Sequence, residues 1–171
     1  MESALDCRQG HVVLRTGFAR VARVLTRPRP VVTRFTRAHA WVLRASRGRI
    51  RRSAVLGGGQ PVLSLTTTGS RSGRPRSTVV AYMARGEAYV VTAANLGSER
   101  DPAWLGNLMS DPRAEVVVDG RRRAVVARRA TGDEAEHLWR LWVERLPAAE
   151  TFREIASREI PVVVLEPRAR N

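Results

Sequence analysis

Lysine is absent from the 171 residues, cysteine occurs once and histidine three times. The lone Cys7 excludes an internal disulfide and a cysteine-built metal cage. His11, His39 and His137 stand far apart, without metal-ligand spacing, and no Ser/His/Asp or Cys/His set presents itself. No apolar run approaches the roughly 18 residues of a membrane span. The N-terminus shows no apolar segment followed by a small-residue cleavage site. These absences, and a single thiol suited to a reducing compartment, lead us to expect a cytoplasmic protein. Aromatics are scarce at 5%, and few of them sit among the basic residues where they could stack nucleic-acid bases.

What is abundant is arginine, which supplies all 30 basic residues against 16 acids, for a net charge of +14. An arginine-only basic complement fits the codon bias of a GC-rich genome. The excess is local: residues 1–52 hold 13 Arg and only Glu2 and Asp6 as acids, whereas residues 53–171 hold 17 Arg and 14 acids. This divides the chain into a basic N-terminal arm, 1–30, and one nearly balanced domain, 31–171. Within the arm, Val12, Val13, Leu14, Phe18, Val21, Ala22 and Leu25 recur at helical spacing until Arg27-Pro28-Arg29-Pro30 stops the pattern. Such a segment can lie on an anionic membrane surface through residues 8–52, pack on its own domain, or remain a loose arm. Nucleic acid is the least favoured partner, because the charge is confined to that arm. No oligomeric state is read from the sequence.

Residues 31–47 read as an amphipathic helix ended by Gly48, with a flexible Gly57-Gly58-Gly59 beyond it. From Val62 the pattern turns strand-like. Apolar runs at Val62–Thr68, Val79–Ala84, Ala88–Ala94, Ala114–Val118, Arg121–Arg129 and Ile160–Leu165 predict six strands, mostly antiparallel. Arg85-Gly86-Glu87 and Asp119-Gly120 are expected as reversals. Asp101-Pro102 is expected to open a helix over Ala103–Met109, with the carboxylate capping free N–H groups. A capping box at Thr131-Gly132-Asp133-Glu134 predicts a helix to Leu146, with Trp139 and Trp142 on its apolar face. Pro147 breaks it, and a short helix to Ser157 follows. Short antiparallel strands with flanking helices predict an α+β barrel.

The stretch around which this is arranged is LSLTTTGSRSGRPRST, Leu63 to Thr78. A Thr-rich strand stops at Gly69, a polar turn follows, and Arg74-Pro75-Arg76 leads into the next strand. Ser70, Ser72, Arg71, Arg74, Arg76 and several backbone amides outside any ladder suit a phosphate or carboxylate. The same features also describe a solvated hairpin.

With LTTTGSRSGRPRST (65–78), ERDPAWLGNL (99–108), the Asp119-Gly120 hairpin and REIPVVVLEP (158–167) in place, the chain resembles the deazaflavin-dependent nitroreductase family. The likeness covers about residues 34–167, in the expected order. It implies a split β-barrel (FMN-binding split-barrel-like), typical of actinobacteria, that binds the 5-deazaflavin coenzyme F420. It places Arg71, Ser72 and Arg76, with the amides near Gly69 and Gly73, on the phosphate and acidic tail. It places Ala93, Ala94 and Asn95 along the ring, with Ala103, Trp104 and Asn107 of the next helix as further contacts. Trp104 serves equally well as core.

The chain departs from the family pattern at Val79, where proline is usual, at Leu96-Gly97 for Gly-Gly, and at Ala94 for serine. Leu146, Ala149 and Phe152 stand where a nitroimidazole-activating member carries tyrosines, which implies a more apolar acceptor pocket. The activity implied is transfer of a hydride from reduced deazaflavin to a small organic acceptor, such as a quinone or activated alkene. No catalytic residue is named; Tyr82 and Tyr89 are equally proton donors or packing. An FMN- or haem-binding split barrel and a non-catalytic deazaflavin carrier are the alternatives, with FMN less favoured than F420.

Overall fold

A computed structural model describes residues 59–168. The basic arm 1–30, the 31–47 helix, Cys7, His11, His39 and the surface-binding segment 8–52 lie outside the described residues.

Seven strands and three α-helices follow in order. They are β1 (Val62–Thr68), β2 (Pro75–Ala81), β3 (Met83–Arg85), β4 (Ala88–Thr92), α1 (Ala103–Ser110), β5 (Arg113–Val118), β6 (Arg121–Arg129), α2 (Gly132–Arg145), α3 (Ala148–Ala156) and β7 (Val162–Pro167). A 3-10 turn, Asn95–Gly97, lies between β4 and α1. All pairings are antiparallel, in the order β2-β1-β5-β6-β7-β4-β3.

That order forces curvature. β2 and β3 are opposite edges of the sheet, yet a single residue, Tyr82, separates them in the chain. The edges must therefore meet, which makes the fold the split barrel expected. The sequence pattern merges β2 and β3 into one strand at Val79–Ala84. The chain instead breaks at Tyr82, whose N–H donates to the Pro61 carbonyl at 3.0 Å, one pair beyond the β1–β2 register, before β3 turns to pair with β4. The last strand runs from Val162 to Pro167, two residues later than expected at each end.

Alternation sets two apolar layers. Leu63, Leu65, Tyr89, Val91, Val116, Val118, Val125, Ala127, Val163 and Leu165 fill the barrel interior with Trp104, Leu105 and Leu108 of α1. The intervening residues Val90, Val162 and Val164 face outward and are buried under Leu138, Trp139 and Trp142 of α2. The apolar run at β7 is thus buried on both faces, and both tryptophans are core. The Asp119-Gly120 turn has both residues at positive φ, +50° and +77°, as a tight two-residue reversal requires.

Both expected helix caps are absent. Thr131 makes no capping bond at the start of α2, and the chain enters through Gly132 at φ +56°. Glu134, the acid of the supposed capping box, instead takes a bidentate pair from Arg128, at 2.6 and 2.8 Å. Arg128 Nε also donates to Glu166 on β7 at 2.7 Å, so one guanidinium ties β6, β7 and α2 together. Asp101 does not cap α1 either; its carboxylate lies 2.7 Å from Arg158 Nη1.

The Arg128 hydrogen bonds hold the Glu134 carboxyl below its ordinary value of 4.5. A depressed acid stabilises the fold above its unfolded value, and that contribution is lost as pH falls through the lower folded value. Glu134→Gln should therefore cost about 1 kcal/mol or less at pH 7, the pair being partly solvated. The gap between wild type and variant in urea unfolding should close as pH is taken below the carboxylate range. A gap independent of pH would contradict this assignment.

Candidate functional site

The strand register gathers the expected site segments at one end of the barrel. Thr68 at the end of β1, Arg113 at the start of β5, Arg129 at the end of β6, Val162 at the start of β7 and Thr92 at the end of β4 share that end. From it project the 69–74 turn, the 93–102 loop and α1. Tyr89 lies in the barrel interior, three residues before the end of β4, with its ring edge-to-face with Tyr82 at 5.3 Å.

The turn is closed by its own hydrogen bonds, and its amides are used internally. The Gly69 N–H donates to the Arg74 carbonyl at 2.9 Å, while the Ser72 and Gly73 N–H groups donate to the Gly69 carbonyl at 3.0 and 2.8 Å. Glycine suits the turn at two positions. A Cβ on Gly69 would lie 2.8 Å from Ser72 Oγ, and Gly73 holds φ +63°. The free amides expected at Gly69 and Gly73 are therefore committed within the turn. What the turn presents outward is Arg71, Arg74 and Arg76, all exposed and without an ion pair among the described residues, while the Ser72 hydroxyl folds back over the turn and accepts from the Arg74 N–H at 3.4 Å. By alternation Arg76 shares a face with its cross-strand partner Thr67, the face covered by α1.

Asn107 is the joint between turn and helix. It is 7% exposed, its Oδ1 accepts from the Ser70 N–H at 3.0 Å, and its Nδ2 donates to Thr67 Oγ1 at 2.9 Å. The Thr67 hydroxyl in turn reaches the Arg76 carbonyl at 3.5 Å. Both ends of this carboxamide are thus bound to the chain itself. The spacing of Asn107 in ERDPAWLGNL gave no sign of this bridge to a segment about forty residues earlier.

The other expected residues divide by exposure. Ala93 is fully buried, and Trp104, at 8%, packs in the barrel core. Ala94 is half-buried, while Asn95 and Ala103 are exposed. Asn95 and Leu96 both take positive φ, +46° and +54°, and Asn95 Nδ2 donates to the Arg100 carbonyl at 2.8 Å. Beside this turn lies α3: a Cβ on Gly97 would meet the Ile155 side chain at 3.1 Å and the Phe152 carbonyl at 3.4 Å. Leu96 and Ile155 are exposed apolar side chains. Of Leu146, Ala149 and Phe152, Phe152 adjoins the loop at Gly97. Ala149 is buried among the residues under α2, and Leu146 borders a small recess with Gln60, Tyr82, Met83, Trp142 and Arg145.

A family model described as F420H(2)-dependent quinone reductase matches residues 35–167. The chain belongs to that family. It is an oxidoreductase that depends on reduced coenzyme F420. An F420H(2)-dependent quinone reductase of Mycobacterium tuberculosis is 34% identical over 143 residues, covering 82% of this chain and 95% of the relative. A putative F420H(2)-dependent quinone reductase of the same organism is 30% identical over 108 residues, covering 63% and 91%. Among solved structures, an F420-H2 dependent reductase superposes with a TM-score of 0.57 at 30% identity, over 62% of this chain and 94% of that one. A heme binding protein from Mycobacterium smegmatis, with a TM-score of 0.50 and 24% identity over 72% and 51% of the two chains, shares the fold. Among the described residues no helix is long and apolar enough to cross a membrane.

Asn107→Leu keeps the branched shape but removes the acceptor of the part-buried Ser70 N–H and the donor to the buried Thr67 hydroxyl. It should cost about 1–3 kcal/mol, the penalty for unsatisfied buried groups, read as a lower urea midpoint with unchanged slope. A loss below about 0.5 kcal/mol, the usual scatter of neutral surface changes, would remove Asn107 from this role.

Proposed function

We propose that the turn and the loop are two stations for one elongated ligand, coenzyme F420. Arg71, Ser72 and Arg76, with Arg74 beside them, hold the phosphate and glutamyl carboxylates of the tail. Ala94, Asn95 and the start of α1 at Ala103 face the ring, while Ala93, Trp104 and Asn107 support that surface from beneath. The observation that carries this reading is the cluster of three exposed guanidinium groups, unpaired among the described residues, on a turn fixed by its own amides and by Asn107. Planar guanidinium forks match phosphate and carboxylate oxygens, and charge-assisted bonds are the stronger kind.

When bound, the reduced deazaflavin supplies the hydride. The chain binds, orients and shields. The first N–H groups of α1 lack a capping side chain, and a helix start favours the negative charge of an electron-rich ring. Exposed Leu96 and Ile155, with half-buried Phe152, offer an apolar wall beside the ring station. An apolar wall suits a flat organic acceptor, and we assign a quinone, the acceptor named for the mycobacterial relatives.

Titration with coenzyme F420, with FMN as control, tests the assignment. Arg76→Ala should weaken F420 binding by about 1.5–3 kcal/mol, the range for hydrogen bonds to charged groups. It should leave the weaker FMN affinity little changed. An unchanged dissociation constant would remove the tail from the turn, and tight FMN binding without F420 binding would overturn the cofactor assignment.

A further inference from the structure

Arg158 lies between α3 and β7, at the start of the REIPVVVLEP stretch, with no role assigned to it by the sequence pattern. Its side chain is 17% exposed. Nε donates to the Ser98 carbonyl at 3.0 Å, Nη2 to the Ala93 carbonyl at 2.9 Å and more weakly to Arg100 at 3.5 Å, and Nη1 to its neighbour Glu159 at 2.9 Å. Nη1 also pairs with Asp101 at 2.7 Å. One planar group thus grips the 93–101 loop at its first residue, its middle and its last. The loop needs holding, because it carries two non-glycine residues, Asn95 and Leu96, in the left-handed region. Ser157, at φ +49°, closes α3 and is followed directly by Arg158.

We propose that Arg158 is a positioning residue for hydride transfer. It pins the loop between β4 and α1 as one preformed surface, so that the ring lies at a fixed distance and tilt from its acceptor. It acts through the loop and touches no reacting atom. This rests on the loop being the ring station. The tail station is fixed separately, by Asn107, so loss of the pin should harm orientation much more than affinity.

Arg158→Lys keeps the charge and the pairing with Asp101 but lacks a fork that can serve three carbonyls at once. In the full chain, amide exchange at residues 94–101 should accelerate at least about tenfold while the 67–70 amides keep their protection. A melting temperature within about 4 °C of wild type would show the fold intact. The turnover number with a soluble quinone should fall at least about tenfold, as for a slightly misplaced reactant. The F420 dissociation constant should move less than about threefold, since separate sites act independently. Unaltered exchange at 94–101 would show that Arg158 pins nothing, and faster exchange with unaltered turnover would show that pinning does not matter; either overturns the proposal alone. A wild-type protein that binds no F420 would take down the cofactor placement and this proposal together. Should the variant fail to fold, proton exchange at the wild-type Arg158 Nε–H decides. Slow exchange supports the pin, and exchange at the rate of an exposed arginine overturns it.

Discussion

The site depends on a buried carboxamide that joins two segments the chain brings together only by folding. Asn107, on a helix of two turns, bonds to the first strand and to the turn that follows it. In the barrel interior an unpaired amide is costly, so the helix and the turn are held to one relative placement. With that placement fixed, the arginines of the turn and the start of the helix stay in register, as a ligand spanning both requires. The bond also explains why a short exposed turn crowded with like charges keeps a definite shape: its amides are closed on themselves, and it is anchored from below.

Barrel closure supplies the frame for this joint. Because the edge strands are consecutive in the chain, the sheet cannot open without displacing Tyr82 and the strands on either side. The interior packs with branched aliphatics, and the outer layer with two tryptophans under α2. The candidate site segments are then loops at one rim, where the strands set their spacing.

Much of this was legible from residues. Period-two alternation located the strands, Asp-Gly fixed the β5–β6 reversal, and proline marked the ends of α1 and the end of α2. The polar chemistry was less legible, because it depends on partners distant in sequence. Asp101 and Glu134 occupy positions where acids commonly cap helices, but each has an arginine within reach, Arg158 and Arg128, and takes it instead. A charged fork offers more than an amide already near water. The break at Tyr82 was hidden because both sides of it are apolar and extended, and only closure of the barrel requires it. Arg158 opens a stretch that carries the family likeness, but its role was not legible there, because its work is done on carbonyls up to 65 residues away.

The two proposed stations make a joint demand on one ligand, and a crystal structure with coenzyme F420 bound tests it most directly. The account predicts phosphate and carboxylate oxygens within hydrogen-bond distance of Arg71 and Arg76, and the tricyclic ring lying along Ala94, Asn95 and the first turn of α1. A coenzyme bound with its tail away from the turn, or with its ring outside the 93–103 segment, would contradict it.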